Sequence, residues 1–280
     1  MSIPESPASP GTQTDGSSSN GSPLLAIRGI TKRFGPVQAL TRVSFDVPPG
    51  QVTALAGDNG AGKSVTIKTI AGLWPPDEGE LLWDGQPVHF HGPREAEYQG
   101  ITTIYQDLAL CENLDIVQNM FLGHEVLRHL LLDEGSMELA AKKTLDGLHV
   151  TTIRSIRQPV ASLSGGQRQS VAVAKAVMSK ARLVIMDEPT AALGVAQTRQ
   201  VLDLIKRLAS QGVAVLVVSH NLNDVFEVGD RIVILHRGRM VAQGPVSEFD
   251  PASVVDYMTT GRSSRTVDHT SVPHSAGQEG

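Results

Sequence analysis

One stretch of the sequence has the composition that phosphate binding requires. Residues 57–64 read G-D-N-G-A-G-K-S and fit the pattern G-x-x-x-x-G-K-[ST]. Glycines let backbone N–H groups turn towards phosphate oxygens, and a helix N-terminus adds a favourable dipole. Lys63 would place a positive charge beside the outer phosphates, and Ser64 would offer a hydroxyl to Mg²⁺. A plain glycine-rich turn is the alternative interpretation.

Two adjacent carboxylates could act on such a phosphate. Asp187 and Glu188 follow the apolar run 183–186, which has the length and composition of a buried strand. A carboxylate at a strand end can hold a metal ion, and a second one can remove a proton from water. The sequence therefore favours a working enzyme over a bare binding protein.

A third motif, L-S-G-G-Q-R-Q at 163–169, begins a helix. Ser164 and Gln167 have the spacing of a capping box, and on that ground alone a well-capped helix is expected. The bare glycines Gly165 and Gly166 would also expose amides at a positive helix end, which is a second anion site. Two such sites around one nucleotide are useful when two chains meet head to tail.

Alternating strands and helices position these motifs. Strand patterns occur at 24–28 and 40–47, and a further strand, 52–56, runs into the glycine-rich loop. The helix after the loop is expected to continue until Pro75 and Pro76.

Beyond that helix, Asp84 and Gly85 predict a hairpin turn. Residues 110–160 are expected to be mostly helical. Helix, strand, helix and strand then follow at 164–180, 182–187, about 195–211 and 213–218.

The predicted fold class is α/β. A mainly parallel sheet covered on both faces would form the core, with an antiparallel β subdomain on the N-terminal side and an inserted helical subdomain at about 110–180. Residues 1–22 and 262–280 are rich in Ser, Pro, Gly and Thr and are predicted to be a disordered leader and tail. The folded domain would then span 23–261.

The composition limits the possible partners. The chain has 280 residues, 40% of them hydrophobic, and a formal net charge of −5, which argues against nucleic acid as the main partner. The single cysteine, Cys111, cannot form an internal disulfide. No run approaches membrane-spanning length, and no signal peptide is recognisable. We expect a cytoplasmic chain that can attach peripherally to the inner face of a membrane.

In this order, 57–64, 163–167 and 183–188 resemble the motifs of ABC transporter ATP-binding subunits. The resemblance extends from about residue 24 to 261 and implies a P-loop NTPase core that binds ATP and Mg²⁺. The nucleotide-binding positions that it implies are Phe34, Gly57, Asn59, Gly60, Ala61, Gly62, Lys63, Ser64, Val65, Ser164, Gly165, Gly166 and Gln167.

The resemblance also implies roles for individual side chains. Phe34 would stack on adenine. Ser64, Gln106 and Asp187 would serve the metal, and Gln106 would also reach the attacking water. Glu188 would be the general base, and His220 would lie near the γ-phosphate. Outside the resemblance, Phe34, Gln106 and His220 are ordinary core or surface residues.

Some positions depart from the commoner pattern. Gly194 stands where the family usually has an aspartate at the subunit interface, and Asp58 and Val65 replace the commoner proline and threonine. Together with T-A-A-L-G at 190–194 and N-M-F-L-G at 119–123, these residues resemble the importers of monosaccharides such as ribose, xylose or fructose. One copy of the motifs is present, which is similar to the single-domain variety, so the chain should dimerise.

The resemblance implies an ATPase that energises sugar import. Its partners would be a second copy or a related ATPase subunit, a membrane permease and, indirectly, a sugar-binding protein. Three alternatives remain: an ABC-type ATPase for another substrate class, a DNA-repair or chromosome ATPase, and a nucleotide-binding regulatory protein without transport. Only 100 positions separate Ser64 from Ser164, without heptads or a cysteine cluster, which disfavours the nucleic-acid machine.

Overall fold

The computed structural model describes residues 22–262. The predicted leader and tail lie, apart from Ser22 and Arg262, outside the described residues. Four strands near the N-terminus form an antiparallel sheet in the order β2-β1-β4-β5. Their bounds are β1 Leu25–Phe34, β2 Val37–Val47, β4 Glu78–Trp83 and β5 Gln86–Val88. Asp84 and Gly85, both with positive φ, form the predicted turn between β4 and β5.

A six-stranded sheet forms the centre of the molecule. Its order is β12-β11-β3-β10-β9-β6, and all neighbouring pairs except β11–β12 are parallel. The bounds are β3 Val52–Gly57, β6 Ile101–Ile104, β9 Leu183–Asp187, β10 Ala214–Ser219, β11 Arg231–His236 and β12 Arg239–Pro245. Because the carboxyl ends of parallel strands meet at one edge, the loops after β3, β6, β9, β10 and β11 converge there.

Helices cover both faces of this sheet. They are α1 Lys63–Ile70, α2 Pro93–Tyr98, α3 Ile116–Phe121, α4 Glu134–Gly147, α5 Gly165–Met178, α6 Val195–Ser210, α7 Leu222–Val228 and α8 Pro251–Thr260. Along β9, Leu183 and Ile185 pack in one apolar cluster, whereas Val184 and Met186 pack in another. A strand buried on both faces reads as a continuous apolar run, so the predicted α/β architecture is confirmed.

The expectation of a mostly helical stretch at 110–160 is wrong. Between α3 and α4 lies a short hairpin of β7 Leu127–Arg128 and β8 Leu131–Leu132, and the residues from 148 to 159 are irregular. The apolar side chains Met137, Ala141 and Leu145, which recur at helical spacing in α4, are buried. Length and composition did not reveal the hairpin, because its leucines are compatible with either structure.

Helix α1 also ends earlier than predicted. It stops at Ile70, and Ala71 and Gly72 complete the turn before the prolines are reached. Gly72 has φ +72°, which favours glycine and ends the helix without help from Pro75.

Candidate functional site

The loops at the carboxyl edge of the central sheet enclose a cavity of about 540 Å³. It is lined by Val37, Gln38, Ala39, Asp58, Asn59, Gly60, Ala61, Gly62, Lys63, Ser64, Val65, Gln106, Asp187, Glu188, Arg237 and Gly238. The glycine-rich loop, the predicted glutamine and both carboxylates therefore face one space. This convergence follows from the parallel order of β3, β6 and β9.

The glycine-rich loop is shaped to turn its backbone inward. Gly62, the residue before α1, has φ +104°, and an added Cβ would lie 2.7 Å from a methyl carbon of Leu40. Lys63 is only 8% exposed, and its Nζ donates to the carbonyl oxygens of Gly57 at 2.7 Å and Asp58 at 3.1 Å. An ammonium has three donors, so the third is available for a phosphate oxygen in the cavity.

Asp187 ends β9 and is half-buried at the wall of the cavity. Burial raises the pKa of this carboxyl above its usual value, and the neighbouring charge of Glu188 raises it further, while Lys63 and Lys68 oppose the shift. Because burial disfavours the ionised form, a cation placed in the cavity would stabilise the Asp187 carboxylate.

Glu188 follows in an unusual backbone conformation, with φ +51°. Its N–H donates to Val218 O at 2.9 Å, which ties the residue to β10. One carboxylate oxygen accepts a 2.8 Å hydrogen bond from His220 Nδ1. The Glu188 side chain is 16% exposed, and the His220 ring is 63% exposed. The two side chains thus form a pair at the edge of the cavity.

Phe34 and Gln106 occupy different positions relative to the cavity. Gln106 is exposed and lines it. Among the described residues that line the cavity, Phe34 is not found. It pairs across the β1–β2 hairpin with Val37, which does line the cavity. Its ring is 39% exposed and meets Trp74 edge to face at 4.8 Å. The stacking role of Phe34 stays a prediction.

The third motif lies apart from this cavity. Ser164 is the N-cap of α5, and its hydroxyl and the Gln167 side chain complete the predicted capping box. None of the residues 164–167 lines the cavity around the glycine-rich loop, as far as the described chain goes. Ser164 is exposed at the N-cap, whereas Gly165 is half-buried and Gly166 is buried.

Gly165 serves packing as well. A Cβ there would lie 2.6 Å from a methyl carbon of Leu193, so the start of α5 lies close against the segment that follows the carboxylates. A smaller cavity of about 320 Å³ adjoins this contact and is lined by Gly165, Gln106 and Glu188 among others. The motif is thus placed next to the carboxylate loop by glycine packing, which the sequence interpretation did not include.

The residues at the cavity fit a nucleotide with Mg²⁺. In the described part of the chain no group of three His, Cys, Asp or Glu side chains could hold a metal. Magnesium in phosphate sites typically uses one or two protein ligands and takes the rest from phosphate and water. Asp187, with its raised pKa, and the exposed Ser64 hydroxyl suit that arrangement.

Sequence reasoning missed part of the lining. Val37, Gln38 and Ala39 come from the β1–β2 hairpin, and Arg237 and Gly238 from the β11–β12 turn. Gly238 N–H donates to Ala61 O, which joins that turn to the glycine-rich loop. These residues belong to no motif, and no signal in the sequence singles them out.

Fold and site together define a nucleotide-binding ATPase of the P-loop class. Residues 40–191 match the family described as ABC transporter. Over 85% of the chain it is 46% identical to the fructose import ATP-binding protein FrcA of Rhizobium meliloti, covering 94% of that protein. It is also 46% identical to the xylose/arabinose import ATP-binding protein XylG of Sulfolobus acidocaldarius, over 85% of the chain and 95% of that protein.

A solved structure of a nucleotide-free ATP-binding cassette from an ABC transporter has the same fold. The TM-score is 0.73 at 26% identity, covering 83% of this chain and 97% of that one. The chain belongs to the ABC transporter family of ATP-binding proteins.

Proposed function

We propose that this chain is the ATP-hydrolysing subunit that energises import of a monosaccharide through a membrane permease. The observation that carries the proposal is the cavity in which the glycine-rich loop, Asp187 and Glu188 meet, with His220 bonded to Glu188. Two relatives, of which the match covers 94% and 95%, are named for import of fructose and of xylose or arabinose, which supports the substrate class.

Each cavity residue has a role that its geometry allows. Backbone amides of 57–62 and the third Lys63 donor bind phosphate oxygens, and Phe34 stacks on the base beside Val37. Ser64, Gln106 and Asp187 hold Mg²⁺, directly or through water. When bound, the metal neutralises charge that develops on the phosphates.

Glu188 acts as the general base that orients and polarises the attacking water. Its largely buried carboxylate accepts a hydrogen bond from His220, which fixes the rotamer of the carboxylate while leaving the other oxygen for water. Gln106, which lines the same cavity, supplies a second polar contact.

The helix start at Ser164–Gln167 completes the site of a second chain. The capping box engages the N–H groups of Ser164 and Gln167, so the N–H groups of Gly165 and Gly166 would form the anion site for the partner's nucleotide. The ATPase partner is a second copy of this chain or a related subunit.

The membrane permease would contact a groove of about 810 Å³. Its walls come from β6, from the loop that holds Gln106, and from α3 and α5, with the exposed Tyr98 at the rim. This placement keeps the subunit on the inner face of the membrane, and none of the described helices is long and apolar enough to span one. The acidic net charge gives no support to a nucleic-acid partner.

Reconstitution tests this function. The chain, its permease and a sugar-binding protein are placed in liposomes, and ATP hydrolysis is measured with ribose, xylose and fructose as probes. We expect low hydrolysis by the chain alone and a rise with one of these sugars. Stimulation only by a different substrate would favour the ABC ATPase of another class, and absence of hydrolysis would favour the regulatory protein.

A further inference from the structure

Glu188 and His220 lie on separate loops, and the structure shows how these loops are joined. Glu188 follows β9, and His220 follows β10. The two strands pair in register, with Val218 opposite Asp187. Past their ends, the ring of His220 is mostly exposed, so its position depends on the backbone of its own loop.

A second side-chain contact joins the loop after β9 to the helix that follows β10. Two residues beyond Glu188, the Thr190 hydroxyl donates a short hydrogen bond to Asp224, four residues beyond His220. The Glu188–His220 pair and the Thr190–Asp224 pair therefore both connect the segment after β9 with the segment after β10. Such a connection fixes the distance between the two segments at the point where the reacting groups leave the sheet.

Asp224 is well placed to be the fixed end of this connection. It is only 5% exposed and lies in the first turn of α7. Val225 and Val228 of that helix are buried in the apolar core, which holds α7 against the sheet. A buried carboxylate is costly without a partner, so the Thr190 hydroxyl matters to its position.

The loop that contains Thr190 needs a contact from outside to hold its conformation. Residues 188–194 form successive turns, with Ala191 N–H bonded to Glu188 O and Leu193 N–H bonded to Thr190 O. Glu188 and Ala192 both have positive φ, a conformation that costs free energy in residues with a side chain. An outside contact is required to keep such a loop in one arrangement.

We propose that the Thr190–Asp224 hydrogen bond positions Glu188 against His220, so that Thr190 and Asp224 are positioning residues for hydrolysis. Neither lines the cavity around the glycine-rich loop, and both act through Glu188. This inference rests on the proposed hydrolysis of ATP and adds two residues to it.

A purely structural role for the pair is the competing explanation. An acidic residue in the first turn of a helix interacts favourably with the helix dipole, so Asp224 and its hydrogen bond to Thr190 could serve folding alone. The two explanations differ in what happens when both polar groups are removed together. When the Thr190 hydroxyl and the Asp224 carboxylate are both replaced by apolar groups, no buried polar group is left without a partner, so the protein regains stability. The hydrogen bond that would position Glu188 is still absent.

Kinetics of the full-length chain test the proposal. In Thr190→Val, kcat should fall roughly 10- to 100-fold with KM for ATP unchanged, because the base is misplaced and the phosphate loop is not. Thr190→Ser keeps the hydroxyl and should restore most of the loss. Thr144→Val is the matched control, because the Thr144 hydroxyl also donates a hydrogen bond, to Ala140 O, but lies in α4.

A double variant separates positioning from folding. Thr190→Val/Asp224→Leu should regain the thermal midpoint that Thr190→Val loses, while its kcat stays low. Recovery of kcat together with the midpoint would overturn the proposal. If Thr190→Val does not fold, the double variant and Thr190→Ser still decide the question.

The Glu188→Gln background gives an independent check. If Thr190 acts through Glu188, adding Thr190→Val to Glu188→Gln should not slow the residual hydrolysis further. An equal factor in both backgrounds would show that Thr190 acts elsewhere and would overturn the inference. A wild-type chain that does not hydrolyse ATP would overturn the proposed function as well, whereas active wild type with unaffected Thr190→Val would overturn this inference alone.

Discussion

The phosphate cavity and the start of α5 differ in how completely one chain builds them. Five segments of the same chain surround the cavity, Lys63 bonds to two backbone carbonyls there, and Glu188 is paired with His220 at its edge. At the start of α5, by contrast, the capping box engages only the N–H groups of Ser164 and Gln167, and the N-cap Ser164 is exposed. We therefore propose that one chain supplies the phosphate-binding and acid–base groups, and that the start of α5 serves the nucleotide of a second chain.

Glu188→Gln should have the largest effect, and it acts on the cavity alone. Loss of a general base typically costs roughly 10²–10⁴ in rate, about 3–5 kcal/mol of barrier. ATP affinity should survive, so ATP should hold a dimer that light scattering detects. Glu80→Gln, an exposed glutamate of β4, is the control. Near-normal turnover would mean that another group is the base.

Lys63→Ala should impair the function of the cavity by weakening ATP binding. Removing a buried charge that neutralises phosphate should weaken ATP binding at least about 30-fold, which calorimetric titration measures. Lys206→Ala removes a surface ammonium paired with Glu227 and serves as the control. If Lys63→Ala binds ATP as tightly as wild type, the phosphate-loop assignment is wrong.

Asp187→Asn should stabilise the chain without nucleotide. The raised pKa of Asp187 means that the folded chain binds more protons between the ordinary value of 3.8 and the raised value. The free energy of unfolding therefore falls as pH rises through this window, and the loss persists at neutral pH. The asparagine side chain does not ionise and so avoids this loss of stability, and the thermal midpoint at pH 7 should therefore rise by about 1–3 °C.

The gain from Asp187→Asn should shrink as pH falls towards 3.8, because the carboxyl then becomes neutral in both states. A gain that is independent of pH would assign it to packing rather than to charge. Mg²⁺-dependent ATP binding should weaken in the same variant.

Gly194→Asp should have the smallest effect, and it acts near the start of α5. Gly194 is the N-cap of α6, and an added Cβ would meet nothing within 4 Å. Aspartate caps a helix better than glycine, so unfolding free energy should rise by a few tenths of a kcal/mol. Gly194→Ala should lower it instead. If Gly194→Asp instead lowers the free energy of unfolding, the aspartate side chain must clash with a neighbouring group or be repelled by a nearby negative charge.

The sequence predicts the cavity better than the surface around it. Residues 57–64 and the carboxylates could be assigned because each lies directly after a strand, and parallel strands bring their ends together. Arg237 and the hairpin 37–39 could not, because they reach the cavity through tertiary packing and carry no motif.

Sequence separation explains which other features could be predicted and which could not. The capping box of Ser164 was predictable because it needs only residues three apart. The contact of Gly165 with Leu193, and the bond from Thr190 to Asp224, join segments far apart in sequence, so spacing could not reveal them. The β7–β8 hairpin was missed since four exposed leucines at its strands and turn lack the alternation of a half-buried strand.

Mixing two inactive variants tests the two-chain site most directly. Lys63→Ala removes the phosphate lysine, and Ser164→Arg places a bulky cation at the exposed helix start, so each should hydrolyse little ATP alone, while Ser164→Arg still binds it. In a head-to-tail heterodimer one site regains both Lys63 and Ser164, so an equimolar mixture should recover about a quarter of wild-type activity. Ser164→Arg that is fully active alone, or no recovery at any ratio and concentration, would contradict the account.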